Sequence, residues 1–218
     1  MNLLQIISAV QRQFGDESGA QITTSDIIRW ANDAQTDIVR KTEVLQIHAE
    51  TDSVGNDGSY DLPSDFIRIR RVSYDGTKID RIELEEIDDV RGSRGRGNTS
   101  GDPVWYYVWG TRLWLYPAPD ENGIGNLDIY YVKAPDELVN SADIPEIPSH
   151  MHEDIVRYCL GRAKELDEED GKAQEVMGDY EARLNLTRDE ANNPEINTYP
   201  SIRDIEGGFA YDSYHGGW

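Results

Sequence analysis

The hydrophobic period changes twice along the chain, and this double switch restricts the fold more than any other feature. Leu3, Leu4, Ile6, Ile7 and Val10 fall at helical spacing, and Phe14-Gly15-Asp16 ends the run. A helix is therefore predicted over about 2–14. A second is predicted over about 24–41, where Ile27, Ala31, Ala34 and Ile38 form one stripe flanked by Ile28, Gln35 and Val39. Thr24 or Ser25 can cap it, and Asp26 suits the positive end of its dipole. From Val44 the period becomes two. Beyond Ile147 the helical period returns, with Met151, Ile155, Cys159 and Arg162-Ala163 at three-to-four spacing and Ala173, Val176, Met177, Tyr180 and Leu184 marking a second run. These predict helices over about 149–166, capped from Ser149, and 172–188.

The middle stretch, about 44–134, reads as strands and tight turns. Val44 to Ala49 alternates, 54–59 is dense in turn residues, and Phe66 to Tyr74 sets Ile67, Ile69 and Arg71 against Arg68, Arg70 and Val72. Asp75-Gly76 makes a tight turn before Lys78 to Leu84, and one helical turn is expected over 85–90. In PVWYYVWGTRLWLYPAP, Gly110 stands first in a two-residue loop, which suits a type II′ hairpin between 104–109 and 112–116. Leu127 to Lys133 adds a further strand. The predicted class is α+β: a bundle of four helices, two N-terminal and two C-terminal, with an inserted, mainly antiparallel β module.

The chain forms one predicted domain over 1–190, followed by a different segment over 191–218. That segment has little periodicity but carries Tyr199, Phe209, Tyr211, Tyr214 and Trp218. Aromatic rings favour burial, and so short a tail builds no core of its own. It reads as an extended arm that docks on another chain.

Charge narrows the partners. With 42 acids against 21 bases the net charge is −21, which opposes a broad grip on nucleic acid phosphates. The start of the chain lacks the basic cluster of a signal peptide, and no apolar run approaches the roughly eighteen residues of a membrane span. A soluble protein made in the cytosol is expected. The single Cys159 excludes an internal disulfide and lies on an apolar stripe, as a buried, inert thiol would.

No catalytic motif stands out. A phosphate loop, a nucleophile elbow and a dinucleotide fingerprint are all missing from the sequence, so no enzyme activity and no cofactor are expected. His150 and His152 at a helix start diverge by about 200°, which disfavours a shared ion. They read instead as part of a capped helix terminus, with Glu153 and Asp154 on its positive dipole end. Asp88-Asp89 and Asp167 to Asp170 lack the spacing of a calcium loop, and no metal site is assigned. Two surfaces remain as candidates. The aromatics Trp105, Tyr107, Trp109 and Trp114 suit a subunit interface, with a sugar-stacking platform as the alternative; both faces of this hairpin are apolar and both are expected to be covered. The segment RGSRGRGNTSG places Arg91, Arg94 and Arg96 on a glycine-rich loop, either a plain loop tip or a finger touching an acidic neighbour or passing phosphate.

The ordered set YDLPSDFIRIRRVSYDG, LYPAP, LDIYYVKAPDEL and IPEIPSHMHEDIVRYCLGRAKELDEEDGKAQEVMGDYEARL, following the two N-terminal helices, resembles the head-to-tail adaptor proteins of tailed bacteriophages over roughly 1–190. The resemblance implies a helical bundle with an inserted β module. It also implies a homo-oligomeric ring, usually of twelve copies, beneath the portal protein, with double-stranded DNA running through it and making only transient, non-specific contact. The expected place is the head–tail junction of the virion, after assembly in the host cytoplasm. A tail-completion or tail-tube protein of the same particle is the nearest alternative; a soluble carbohydrate-binding or hydrolytic protein is the more remote one.

Overall fold

The computed structural model describes residues 1–87 and 100–192. Among the described residues it is α+β, with helical segments before and after a seven-stranded sheet. Helix α1 (Leu3–Phe14) opens on a capping box: Asn2 Oδ1 accepts from Gln5 N, and Gln5 Oε1 accepts from Asn2 N. After Gly15 the chain is held by Asp16, whose carboxylate accepts from the backbone N–H groups of Ala20, Gln21 and Ile22 and from Ser18 Oγ. The bonds from Ile22 and Gln21 do most to hold its pKa down at about 2.

Helix α2 (Thr24–Thr42) is capped by Thr23, one residue before the predicted caps, because Thr23 Oγ1 reaches Asp26 N. Its predicted stripe is fully buried, and Trp30 joins it. At the far end, the 3₁₀ turn Ser149–Met151 leads into α3 (His152–Leu166), and α4 runs Asp170–Asn192. The expected Ser149 cap is absent: Pro148 takes that position and no side chain closes this end. Helix α3 packs on α1, α2 and α4, and all four contribute to one apolar core.

The strands are β1 (Gln46–Ser53), β2 (Ser59–Asp61), β3 (Phe66–Tyr74), β4 (Thr77–Arg81), β5 (Trp105–Trp109), β6 (Arg112–Tyr116) and β7 (Gly123–Lys133). Their order is β1-β7-β3-β4-β5-β6-β2, antiparallel throughout except for β4 beside β5. The first and last strands in this order, β1 and β2, are joined by only the five residues 54–58, so the sheet must curl until its edges nearly meet. The connection 54–58 is tied to β6 and the segment after it by the bonds Asn56 N to Pro119 O and Leu115 N to Gly58 O. Curling shields otherwise open strand edges.

The two tight turns follow the sequence reading. Asp75 and Gly76 both have positive φ, as a type I′ turn requires, and at the β5–β6 turn only Gly110 does. Strand β3 departs from its predicted alternation. Its register slips at Phe66/Arg68 and at Ile69/Arg71, so Ile67 and Arg70 are extra residues on bulges. Ile67 consequently packs with the helices while Phe66, Ile69 and Val72 pack inside the sheet. Strand β7 joins the two cores, with Val132 in the helical one and Ile129 and Tyr131 in the other. A helical turn occupies 84–87, and the rest of the turn expected over 85–90 lies outside the described residues.

Candidate assembly surfaces

The hairpin β5–β6 carries a ladder of aromatic pairs on one face. Trp105 stacks with Tyr116 at 6.3 Å between centroids and Tyr107 with Trp114 at 6.0 Å, each pair directly opposed in register. The opposite face sends Tyr106, Leu113 and Leu115 into the sheet core. Among the described residues, the expected cover is thus seen for the face of Tyr106, Leu113 and Leu115. Trp105, Tyr107 and Trp114 are half-buried, while Trp109, beside the turn, is 62% exposed. The indole Nε1 of Trp114 is buried without a hydrogen-bond partner among the described residues.

Arg91, Arg94 and Arg96 lie outside the described residues, as do Tyr199, Phe209, Tyr211, Tyr214 and Trp218. The predicted loop finger and docking arm therefore stand as sequence readings.

The first turn of α3 carries Glu153 and Asp154 as expected, but His152 has a structural role beyond that of a helix terminus. His152 is buried; its Nδ1 faces the Met1 ammonium at 2.6 Å and its Nε2 faces Ile147 O at 3.0 Å. The carbonyl requires an N–H on Nε2, which leaves Nδ1 as the acceptor and the ring neutral. Asp154 is also buried, bonding Arg183 Nε at 2.6 Å and Arg157 Nη1 at 3.3 Å, so it ties α3 to α4.

Burial is the main cause lowering the pKa of His152 below 6.5. A depressed histidine pKa means that folding resists protonation. Its contribution is whole above the unfolded value and declines as pH falls through about 6.5 toward the folded value. Thermal melts between about pH 7 and pH 5 should show wild type losing more midpoint than His152→Gln. Parallel declines would assign the acid sensitivity to other groups.

One grouping missed in the sequence has metal-like chemistry. Ligand atoms of His48, Glu50 and Asp128 lie within 4.8 Å of one another, close enough to share a divalent cation. His48 Nε2 and Asp128 Oδ1 bond each other at 2.9 Å, Ser73 Oγ donates to Asp128 Oδ2, and the His48 ring stacks on Tyr130, so the group is held together by its own contacts. Its members come from facing strands about 80 residues apart in sequence, which hides them from any spacing rule.

A second missed feature is a basic hollow of about 400 Å³ lined by Arg40, Lys41, Arg68, Arg70 and Arg188, with Glu43 the only acid among the described lining residues. Glu43 closes α2 in the left-handed region at φ 56°. Its carboxylate bonds Arg68 Nη1 at 2.5 Å and also Arg70 Nη1. A non-glycine residue in this region costs on the order of 1 kcal/mol or more. The two arginine bonds are what the position supplies in return.

Cys159 is fully buried, as its place on the α3 stripe predicts, and desolvation pushes its thiol far above the ordinary range. No helix among the described residues is long and apolar enough to cross a membrane.

The chain is thus an acidic α+β protein with an exposed aromatic hairpin end and a separate basic hollow. The chain belongs to the SU10 adaptor protein family, whose sequence pattern matches residues 1–198. It is thus a bacteriophage adaptor, a component of the virion that contacts other virion components, in agreement with the resemblance read over 1–190. No curated protein matches it.

Proposed function

We propose that the chain is a structural head–tail connector subunit, of which twelve copies close a ring between the portal and the tail and conduct double-stranded DNA. The observation that carries this reading is the aromatic hairpin, with paired rings on the face away from the sheet core and Trp109 exposed at its end on a family adaptor. Large exposed indoles are favoured anchors in protein interfaces. The net charge of −21 adds support, since an acidic passage lets a polyanion slide where a basic one would hold it. Arg91, Arg94 and Arg96 then give a few transient contacts to phosphate or to the next ring. Residues 191–218 dock on the portal or an adjacent copy, their ordering cost offset by buried rings. The role is mechanical, without turnover.

Native mass spectrometry of the chain alone and mixed with its portal protein tests the reading. A multi-copy species bound to the portal is the expected result, and deletion of 195–218 should weaken that attachment. A chain that remains a monomer in both conditions would remove the proposal.

A further inference from the structure

We propose that the basic hollow receives the acidic α3–α4 turn of a second copy of this chain, forming a head-to-tail contact. The inference rests on the multi-copy reading above and adds the surface and the chemistry by which neighbours recognise each other.

The hollow concentrates positive charge in a chain with twice as many acids as bases. It stands where the C-terminal end of α2, the bulged part of β3 and the last turns of α4 converge. Lys41 is already bound to Asp37 at 2.8 Å and to Glu181 at 2.5 Å. Arg68 and Arg70 share the single Glu43 carboxylate, which leaves one of their two positive charges unmatched. Among the described residues, Arg188 forms an ion pair with its neighbour Asp189 alone, at 3.7 Å, and Arg40 forms none. A visitor must therefore bring at least two carboxylates on a projection small enough to enter.

The turn between α3 and α4 has this form. Asp167, Glu168, Glu169 and Asp170 are consecutive; Glu169 is held by Lys164 and Lys172, while Asp167, Glu168 and Asp170 are exposed and have no ion pairs among the described residues. Glu168 adopts positive φ at 59°, which sharpens the turn. The hollow and the turn lie at opposite ends of α4. Eighteen residues separate Asp170 from Arg188, about 27 Å of helix, so one molecule cannot join its own two patches. The complement must come from another copy, and contacts between unlike patches are the kind that close rings. Duplex DNA fits less well. Its phosphates lie along a broad cylinder that cannot enter a hollow of this size, and the net charge of −21 opposes its approach.

The full-length chain is compared with two charge-reversed variants, Arg40→Glu with Arg188→Glu and Asp167→Lys with Glu168→Lys. Thermal melts confirm folding, and sedimentation at low and at physiological salt reads self-association alone and on the portal. Each variant alone should associate roughly ten- to a hundredfold more weakly than wild type. An equimolar mixture of the two should recover association, because the reversed side chains of one variant's hollow then face the reversed side chains of the other's turn, and the two unaltered patches face each other. The wild-type contact should weaken with salt. If wild type assembles and the variants assemble equally well, this contact is wrong and the connector reading stands. If the mixture fails to recover, the pairing of these two patches is wrong. Loss of short-duplex binding in the arginine variant, with assembly unchanged, would overturn the inference in favour of nucleic acid. If wild type forms no multi-copy species even with the portal, the connector reading falls first and this contact with it.

Discussion

Tyr180→Ala should destabilise the folded chain by about 3–5 kcal/mol, the range for emptying a fully buried aromatic site. Tyr180 is fully buried where α4 meets the other helices. Its ring meets Tyr158 of α3 edge-on at 5.5 Å, the Lys41 ammonium lies 5.5 Å from its centroid, and its hydroxyl donates to Asp37 Oδ2 of α2 at 2.7 Å. Burial and the Asp37 carboxylate together push the phenol pKa far up, so it remains a donor at any ordinary pH. Tyr180→Phe keeps the ring and loses only the hydroxyl bond, while Asp37 retains Lys41; its cost should be near 1 kcal/mol. Urea midpoints at unchanged slope measure both. A loss below about 1 kcal/mol for the alanine variant would mean that α4 is not packed as described.

Much of this architecture was legible because it rests on local rules. The stripe Ile27, Ala31, Ala34 and Ile38 had one face to bury and buries it, and Asp75-Gly76 and Gly110 fold as the turns their φ freedom allows. What stayed hidden depends on partners distant in sequence. Nothing near Phe66 announces the two bulges of β3, which appear only when β7 fixes the register on one side. The closure of the sheet likewise follows from strand order, which no alternation pattern encodes.

The sites divide along the same line. The aromatic hairpin could be found because its residues are contiguous and their opposition follows from one turn. The basic hollow escaped because Arg40, Arg68 and Arg188 come from three distant segments, each locally mixed with acids. Buried polar groups were equally opaque. His150 and His152 looked like a terminus decorated with charge, yet the ring of His152 is an internal link between the first residue and Ile147.

Trp109→Ala should separate stability from assembly. Its side chain is 62% exposed at the end of β5, so truncation removes little that the isolated fold uses, and unfolding free energy should change by no more than about 0.5 kcal/mol. If neighbours or the portal cover this end of the hairpin, the same change deletes a central anchor. Such losses reach about 2 kcal/mol or more, close to thirtyfold in affinity. The inner-face variant Leu113→Ala supplies the opposite pattern: Leu113 is fully buried, and its truncation should cost about 2–5 kcal/mol of folding through the cavity it leaves. Association measured on folded protein by sedimentation or native mass then discriminates the two faces. The aromatic end of the hairpin is an assembly surface only if the alanine at 109 leaves melting unmoved and association weakened; unchanged association would make this tryptophan an ordinary exposed residue and withdraw the observation on which the ring reading leans.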